Sequence, residues 1–361
     1  MVRRIEESPA TPEVIELRQQ LLDFVAVTDS RAPLYARLAV GIAEADEVLT
    51  ILAAAPQTKR LPVTLFAAIH DVLLANPDEP LADWYPNLSS SRRSDDPVPA
   101  LLELCSRRRA ELIELVRTRT PQTNEIGRSS LLLVGLSLLA AEVGPLAHLD
   151  VGASAGLNLL VDRFRYDYDG HHVGAGQIEL RCGIRGESRP ELLPSALPVI
   201  TSRLGLDLNP VEVSDPEQVR WLEACVWPDQ PDRFERLRLA LAEAAKHKAR
   251  LLAGDAIDDL EAAVAELGPG HPVVTTSWVL NYLGEEGQRR FMKAMDALGR
   301  HRELSLVCYE APNLTPGLDW PTEVAETDLS VLRLFSWRDG RRTDEVIAKG
   351  HPHGYWLTWL R

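Results

Sequence analysis

Ten consecutive residues carry the densest chemistry in the chain. Leu149-Asp150-Val151-Gly152-Ala153-Ser154-Ala155-Gly156-Leu157-Asn158 join an apolar strand directly to a helix. Gly152 and Gly156, with small residues between them, let the backbone approach a bound molecule closely, and the helix start offers unpaired N–H groups. The same stretch, Gly152-Ala153-Ser154-Ala155-Gly156, also satisfies the G-x-S-x-G pattern of a serine nucleophile elbow. Asp328 or Asp344, followed by His351 or His353, would supply the order Ser…Asp…His. An elbow of that kind needs earlier strands and an oxyanion loop before it, whereas only helical patterns precede Pro145. A ligand cradle is therefore the stronger expectation.

Other candidates lie around this loop. Asn124, Glu125 and Arg128, in Gln122-Thr123-Asn124-Glu125-Ile126-Gly127-Arg128, offer partners of both signs; the plainer reading is a helix cap with Glu125 in the first turn. His70-Asp71 falls on an apolar helix with Leu65, Phe66, Ile69, Val72 and Leu73. The pair has the makings of a general base, although a structural histidine fits that face better. Asn281 follows a core strand and is expected to face substrate, while Trp278 and Tyr282 beside it read as packing. Glu310 ends a strand, where open sheets keep their ligand crevice. His351-Pro352-His353 has no further ligand at the spacing of a closed metal site, so it reads as a loop over a pocket mouth, and no metal is expected. His171-His172 reads as exposed loop. Arg338, Arg341 and Arg342 suit either an anionic substrate or a solvated turn.

Two kinds of patterning would position these groups. Up to about residue 125 the chain is rich in Ala, Leu, Arg and Glu at helical spacing, as in Leu17, Leu21, Leu22 and Val25. Helices are expected after Pro33, from Pro62, and over Leu101–Arg117, with Pro86–Pro99 an exposed loop. Beyond that the pattern alternates. Strands are expected at Pro145–Val151, Pro198–Leu208, Leu251–Ala253, Pro272–Ser277 and Leu304–Tyr309. Helices are expected at Leu157–Phe164, Pro216–Cys225, Arg233–Lys248 and Glu285–Leu298. A hairpin over Gly170–Gly186 would be inserted on the sheet. Val331–Trp337 and Asp344–Ile347 flank Asp339-Gly340, a hairpin turn signal. The expected fold is α/β, a mostly parallel sheet with an antiparallel C-terminal hairpin, preceded by an all-helical domain. Residues 1–125 would be the helical domain or cap, and residues 126–361 the sheet domain.

Composition bounds the function. The 361 residues hold 39 Lys+Arg against 53 Asp+Glu, a formal charge of −14, with 45% hydrophobic residues. That is a globular composition, and its acidity argues against binding duplex nucleic acid, which needs clustered cations. The longest apolar stretch, Leu131–Ala141, is broken by Gly135 and Ser137, so no membrane span is expected. Met1–Glu7 turns acidic at once, unlike a signal peptide. Cys105, Cys182, Cys225 and Cys308 lie far apart and read as reduced thiols of a cytoplasmic protein.

The motifs, taken in order, resemble the class I S-adenosylmethionine-dependent methyltransferases. Asp150, Gly152 and Gly156 match the first motif of that superfamily, with Ser154 in place of its middle glycine. Gly205-Leu206-Asp207-Leu208-Asn209-Pro210 resembles the second-strand motif, whose acidic residue binds both ribose hydroxyls, as one carboxylate can. Ala253-Gly254-Asp255-Ala256 resembles the third-strand motif, whose acid reaches the adenine amino group. Thr275 to Leu283 resembles the segment after the fourth strand that lines cofactor and substrate. The long interval from Gly156 to Asp207 implies an insertion, the hairpin at about 170–190.

The resemblance implies a Rossmann-like methyltransferase sheet with S-adenosylmethionine as cofactor. Asn124, Glu125, Asp150, Gly152, Ala153, Ser154, Gly156 and Asn158 would hold it on one side. Asp207, Leu208, Asp255, Ala256, Ser277 and Trp278 would hold it on the other. His70, Asn281 and Glu310 would be the candidates for catalysis on a small-molecule acceptor. The whole chain is also similar to a family of uncharacterised, largely actinobacterial proteins. That likeness rests on Gln122–Arg128, the Asp150–Asn158 loop, Trp221-Leu222 with Trp227-Pro228, and Trp337–Arg342. Two alternatives stay open: a non-catalytic binding or scaffold protein on the same fold, and a serine hydrolase using Ser154. An open pocket beside Gly152–Gly156 with Asp207 turned into it would favour the methyltransferase. A side chain filling that space would favour the scaffold.

Overall fold

The computed structural model describes residues 11–28, 30–90 and 93–361. The Met1–Glu7 segment and two residues of the Pro86–Pro99 loop lie outside them. The described residues up to Thr123, together with Asp215–Arg238, form one compact unit; Asn124–Ser214 and Leu239–Arg361 form the other.

The first unit is helical. Prolines at Pro33, Pro62 and Pro216 start three of its helices, Pro33–Ala43, Pro62–Ala75 and Pro216–Ala224, at the position where a missing N–H costs nothing. Leu17, Leu21, Leu38, Ile42, Leu49, Phe66, Leu73, Leu101 and Leu112 share one core with Trp221. Asp215–Arg238, expected with the sheet, is therefore grouped with the helices. The helix expected over Leu101–Arg117 is two, Val98–Arg107 and Arg109–Thr118. The break has a cause: Arg107 Nη1 and Arg108 Nε both donate to the buried Glu79 carboxylate at 3.0 Å, and Arg108 Nη2 reaches Asn76 at 3.1 Å. Successive residues of a regular helix point about 100° apart and would not converge on one group.

The second unit is built on a nine-stranded sheet. Its strands, numbered with those of a smaller sheet, are β1 (Leu146–Val151), β2 (Arg165–Tyr168), β3 (His171–Val173), β4 (Glu179–Arg181), β5 (Gly183–Ile184) and β6 (Ile200–Asp207), then β7 (Arg250–Ala253), β8 (His271–Ser277), β9 (Leu304–Glu310), β10 (Val331–Arg338), β11 (Arg341–Gly350) and β12 (Trp356–Trp359). Neighbours run β5-β12-β11-β10-β9-β8-β1-β6-β7. The five strands from β7 to β9 are parallel; β10, β11 and β12 add antiparallel strands. No strand among the described residues precedes β1. Asp339 and Gly340 turn the β10–β11 hairpin with φ +48° and +71°, the left-handed pair such turns require.

Helices cover both faces. On one, helix Gly284–Gly299 sets Phe291 and Met295 against Leu149, Leu204, Val274 and Leu306. On the other, helix Ser129–Val143 meets β9 closely, where a Cβ at Gly135 would lie 2.7 Å from a Val307 methyl. Ile126–Val143 is, against expectation, long and apolar enough by composition to cross a membrane, yet 67% of that window is buried inside the protein.

Two local expectations fail. Leu157–Arg163 is a 3₁₀ segment, not an α-helix, with Leu160 off helical geometry. The Tyr166 hydroxyl takes the Val161 carbonyl, which diverts one helical acceptor. The insertion is not a hairpin on the main sheet but a separate sheet, β3-β2-β4, with β5 leaving it to pair with β12. Tyr168 anchors that small sheet by donating to the Ser130 carbonyl at 2.6 Å.

Candidate functional site at the carboxyl ends of the parallel strands

The chain runs from β1 outward to β6 and β7, then crosses back to β8 and β9 on the other side of β1. The carboxyl ends of β1 and β8 thus flank a topological switch point, where open sheets bind ligands. The Gly152–Gly156 loop stands there. Gly152 and Gly156 have φ of +74° and +70°, and Ser154, buried, has +52°.

Four of the five N–H groups of Gly152–Gly156 are hydrogen-bonded within the chain, with Ala153 N–H sharing the Leu206 carbonyl at 3.4 Å. Gly152 N–H donates to the Leu206 carbonyl at 2.8 Å, Ser154 N–H to Asp207 Oδ2 at 2.8 Å, and Gly156 N–H to the Ala153 carbonyl at 2.7 Å. Asp207 Oδ1 accepts from Asn209 N–H at 2.8 Å, so the carboxylate is turned to the loop and held at both oxygens. A phosphate cradle needs these N–H groups free. Asn124 Nδ2 donates to the Ala153 carbonyl at 2.7 Å, and its buried Oδ1 has no hydrogen-bond partner. Gly152 is overlaid: a Cβ there would overlap the side chain of Val279.

Below the loop, β1 and β8 share a buried polar chain. His148 Nε2–H donates to Thr275 Oγ1 at 2.8 Å, and the Thr275 hydroxyl donates to Asp150 Oδ1 at 2.7 Å. Burial lifts the Asp150 carboxyl to about 7, with the Asp207 charge adding to the rise and the Thr275 bond and Arg128 opposing it. Burial also lowers His148 to about 3, so its ring is neutral. Asn158 Oδ1, also buried, accepts from the Ser129 hydroxyl at 2.8 Å.

Across the switch point, Arg128 is buried and donates from Nε to the Pro352 carbonyl and from Nη1 to the Ser277 carbonyl, both at 2.9 Å. Its guanidinium lies 5.6 Å from the Trp278 ring, and Trp278 has φ +59° and donates from Nε1 to Ser330 at 2.8 Å. Glu310, fully buried, accepts from Val279 N–H at 3.2 Å and Leu280 N–H at 3.4 Å through Oε1; Oε2 has no hydrogen-bond partner. Burial raises this carboxyl to about 7 against those bonds. Glu125 Oε1 caps Gly127 N–H at 2.9 Å, and Oε2 lies 3.6 Å from His353 Nδ1. The Asn281 Oδ1 is buried without a hydrogen-bond partner.

Three sequence candidates are placed elsewhere. His70 is a structural histidine of the helical unit: fully buried, it donates from Nδ1 to the Ala224 carbonyl at 3.0 Å and accepts at Nε2 from Asn87 at 2.9 Å. Both ring nitrogens are thus committed to structural partners. Asp255 uses Oδ1 to cap Ile257 and Asp258 N–H groups at 2.8 and 3.0 Å, which hold its carboxyl below the usual range. Ala256 packs against the core beneath Gly284–Gly299. Leu208, by contrast, is 66% exposed at the end of β6.

Sequence reasoning passed over His148, and within the Thr275–Leu283 segment it gave neither Thr275 nor Val279 a role of its own. The signal for Thr275 was present: a threonine inside a buried β-branched run needs a polar partner. Val279 carried none, since only the fold brings it onto Gly152.

A family profile described as "Uncharacterized protein conserved in bacteria (DUF2332)" matches residues 18–359. The chain belongs to this family. The DUF2332 match spans the Gly152–Gly156 loop, Arg128, Glu310 and His353, so the whole site lies inside the family's extent. No curated protein and no solved structure matched the chain.

Proposed function

We propose that this DUF2332 protein binds S-adenosylmethionine beside Gly152–Gly156 and transfers its methyl group to a small-molecule acceptor. The observation that carries this reading is the Asp207 carboxylate at the end of β6. It is hydrogen-bonded into a glycine loop at the switch point of parallel strands ordered β7-β6-β1-β8-β9. A loop with four of its five N–H groups already bonded suits a ligand without phosphates, and so favours this cofactor over a dinucleotide.

The residues present fit such a group in part. The Asn124 and Asn281 carbonyl oxygens, buried and unpaired, are acceptors for an ammonium. Arg128 is a buried cation suited to a carboxylate. Asp207 would trade its backbone partners for ribose hydroxyls. The cofactor supplies a methyl group already activated by its sulfonium, so the protein's task is chiefly alignment. Asp150 and Glu310, lifted towards neutrality, hold protons beneath the site and are positioning groups in this reading. Exposed apolar side chains stand in the connections after β8, β9 and β11: Tyr282 is 79% exposed, and Leu314, Leu329 and Tyr355 are also exposed. That favours an apolar acceptor.

Val279 over Gly152 favours a second reading, in which the fold is kept and the pocket closed, leaving a non-catalytic scaffold. Calorimetric titration of S-adenosylmethionine and S-adenosylhomocysteine separates the two. The methyltransferase reading expects micromolar binding, lost in Gly152→Trp and Asp207→Ala and retained or tightened in Val279→Ala. Absence of binding in folded wild type that reappears in Val279→Ala would support the scaffold. Absence in both would sink the cofactor assignment.

A further inference from the structure

Away from the switch point, a cleft of about 290 Å³ opens against the far end of the glycine loop. Its size is at the lower end of small-molecule sites, and its lining is about equally polar and apolar. Ala155, Val211, Ala244 and Leu251 form walls from four different segments: the loop, the stretch after β6, the helix Pro231–His247 and β7. Two charged residues border it, and they differ. Glu212 is occupied, its Oε1 accepting from Ser214 N–H at 3.1 Å and from the Ser214 hydroxyl at 2.8 Å. Lys248 has no ion-pair partner among the described residues, although its basic neighbours do: Lys246 pairs with Glu243 and Arg250 with Glu266.

The backbone holds Lys248 at this place. Its N–H closes the helix on the Ala244 carbonyl at 2.9 Å with φ +22°, a cap position where glycine is usual. A plain helix terminus would be served by the cations at 246 and 250. A third cation, without an ion-pair partner among the described residues and beside a cleft with apolar walls at Val211 and Leu251, has a different use.

We infer that this cleft is a second binding site, for a small amphipathic carboxylate whose apolar body lies between Val211 and Leu251 and whose anionic end meets Lys248. The inference does not rest on the cofactor proposal: the two sites share only Ala155 of the glycine loop, whereas Lys248, Val211 and Leu251 lie outside the switch-point crevice. An octanoate anion has the required shape and charge, and octanol is its neutral counterpart.

The test is isothermal titration of octanoate and of octanol into the full chain, into Lys248→Met, and into Val213→Trp, which fills the cleft from its loop side. The expected result is saturable octanoate binding, at least tenfold weaker for octanol and for Lys248→Met, and undetectable in Val213→Trp. Circular dichroism of each variant establishes that it is folded. No octanoate binding by the wild type, equal affinity for acid and alcohol, or binding unaffected by either substitution would each overturn the assignment.

Discussion

At His70 the choice between chemistry and structure is settled by where its two nitrogens go. Asn87 and the Ala224 carbonyl take both, and burial lowers the ring to about 4 from an ordinary value of 6.5. The unfolded chain therefore binds a proton that the folded one refuses between those two values. Stability must fall as pH drops from about 6.5 to about 4 and stop falling below that. His70→Gln, which can keep a donor and an acceptor in place, is expected to flatten this part of the stability profile. His70→Ala leaves a buried amide and a buried carbonyl without partners and is expected to cost about 1–3 kcal/mol for each. Urea unfolding at pH 7.5, 6.5, 5.5 and 4.5, monitored by far-ultraviolet circular dichroism, checks both, and a profile unchanged in His70→Gln would contradict the assignment.

Among the elements, β8 is the one whose side chains join the sheet to the site. Thr275 on its one face links His148 and Asp150 of β1 across a strand pair already fixed in register, Asp150 opposite Thr275. Asp150 stands above its ordinary value, so the folded chain keeps a proton that the unfolded one gives up from about pH 4 upward. Its contribution falls as pH rises to about 7. Thr275→Val removes the bond that opposes this rise and leaves two buried groups unpaired. The expected loss is about 2 kcal/mol or more, larger at pH 8 than at pH 5, whereas Thr275→Ser should stay near wild type. Denaturant midpoints at the two pH values measure it.

What was legible in the sequence at this scale follows from how local each signal is. Asp339-Gly340 marked its hairpin because the turn needs left-handed residues, and the β1, β6, β8 and β9 strands showed as apolar runs bounded by turns. The break at Arg108 depends on Glu79, far away in the chain, and the small β3-β2-β4 sheet depends on anchors at Val161 and Ser130. Neither leaves a periodic trace. The glycine loop was visible for the same reason as the hairpin; the Val279 side chain over it was not.

At the scale of the whole molecule, the helical unit is made from two separated stretches of chain. Asp215–Arg238 contributes Trp221 to its core, the Ala224 carbonyl to His70, and Arg220 to the buried Asp71 carboxylate at 3.1 Å. Trp221 Nε1 also donates to the Thr120 carbonyl at 2.9 Å. Without that segment, Asp71 would keep its buried charge and lose its cation, a loss that commonly costs 3 kcal/mol or more, and the Trp221 site would open as a cavity. Such a sum is comparable to the whole stability of a domain, on the order of 5–15 kcal/mol. Residues 11–123 expressed alone are therefore expected to lack a cooperative unfolding transition. The same residues joined through a flexible Gly/Ser linker to residues 215–238 should recover one. Thermal melts and the dispersion of amide proton signals would show the difference. A cooperative melt from residues 11–123 alone would mean that the return segment decorates the helical unit instead of completing it.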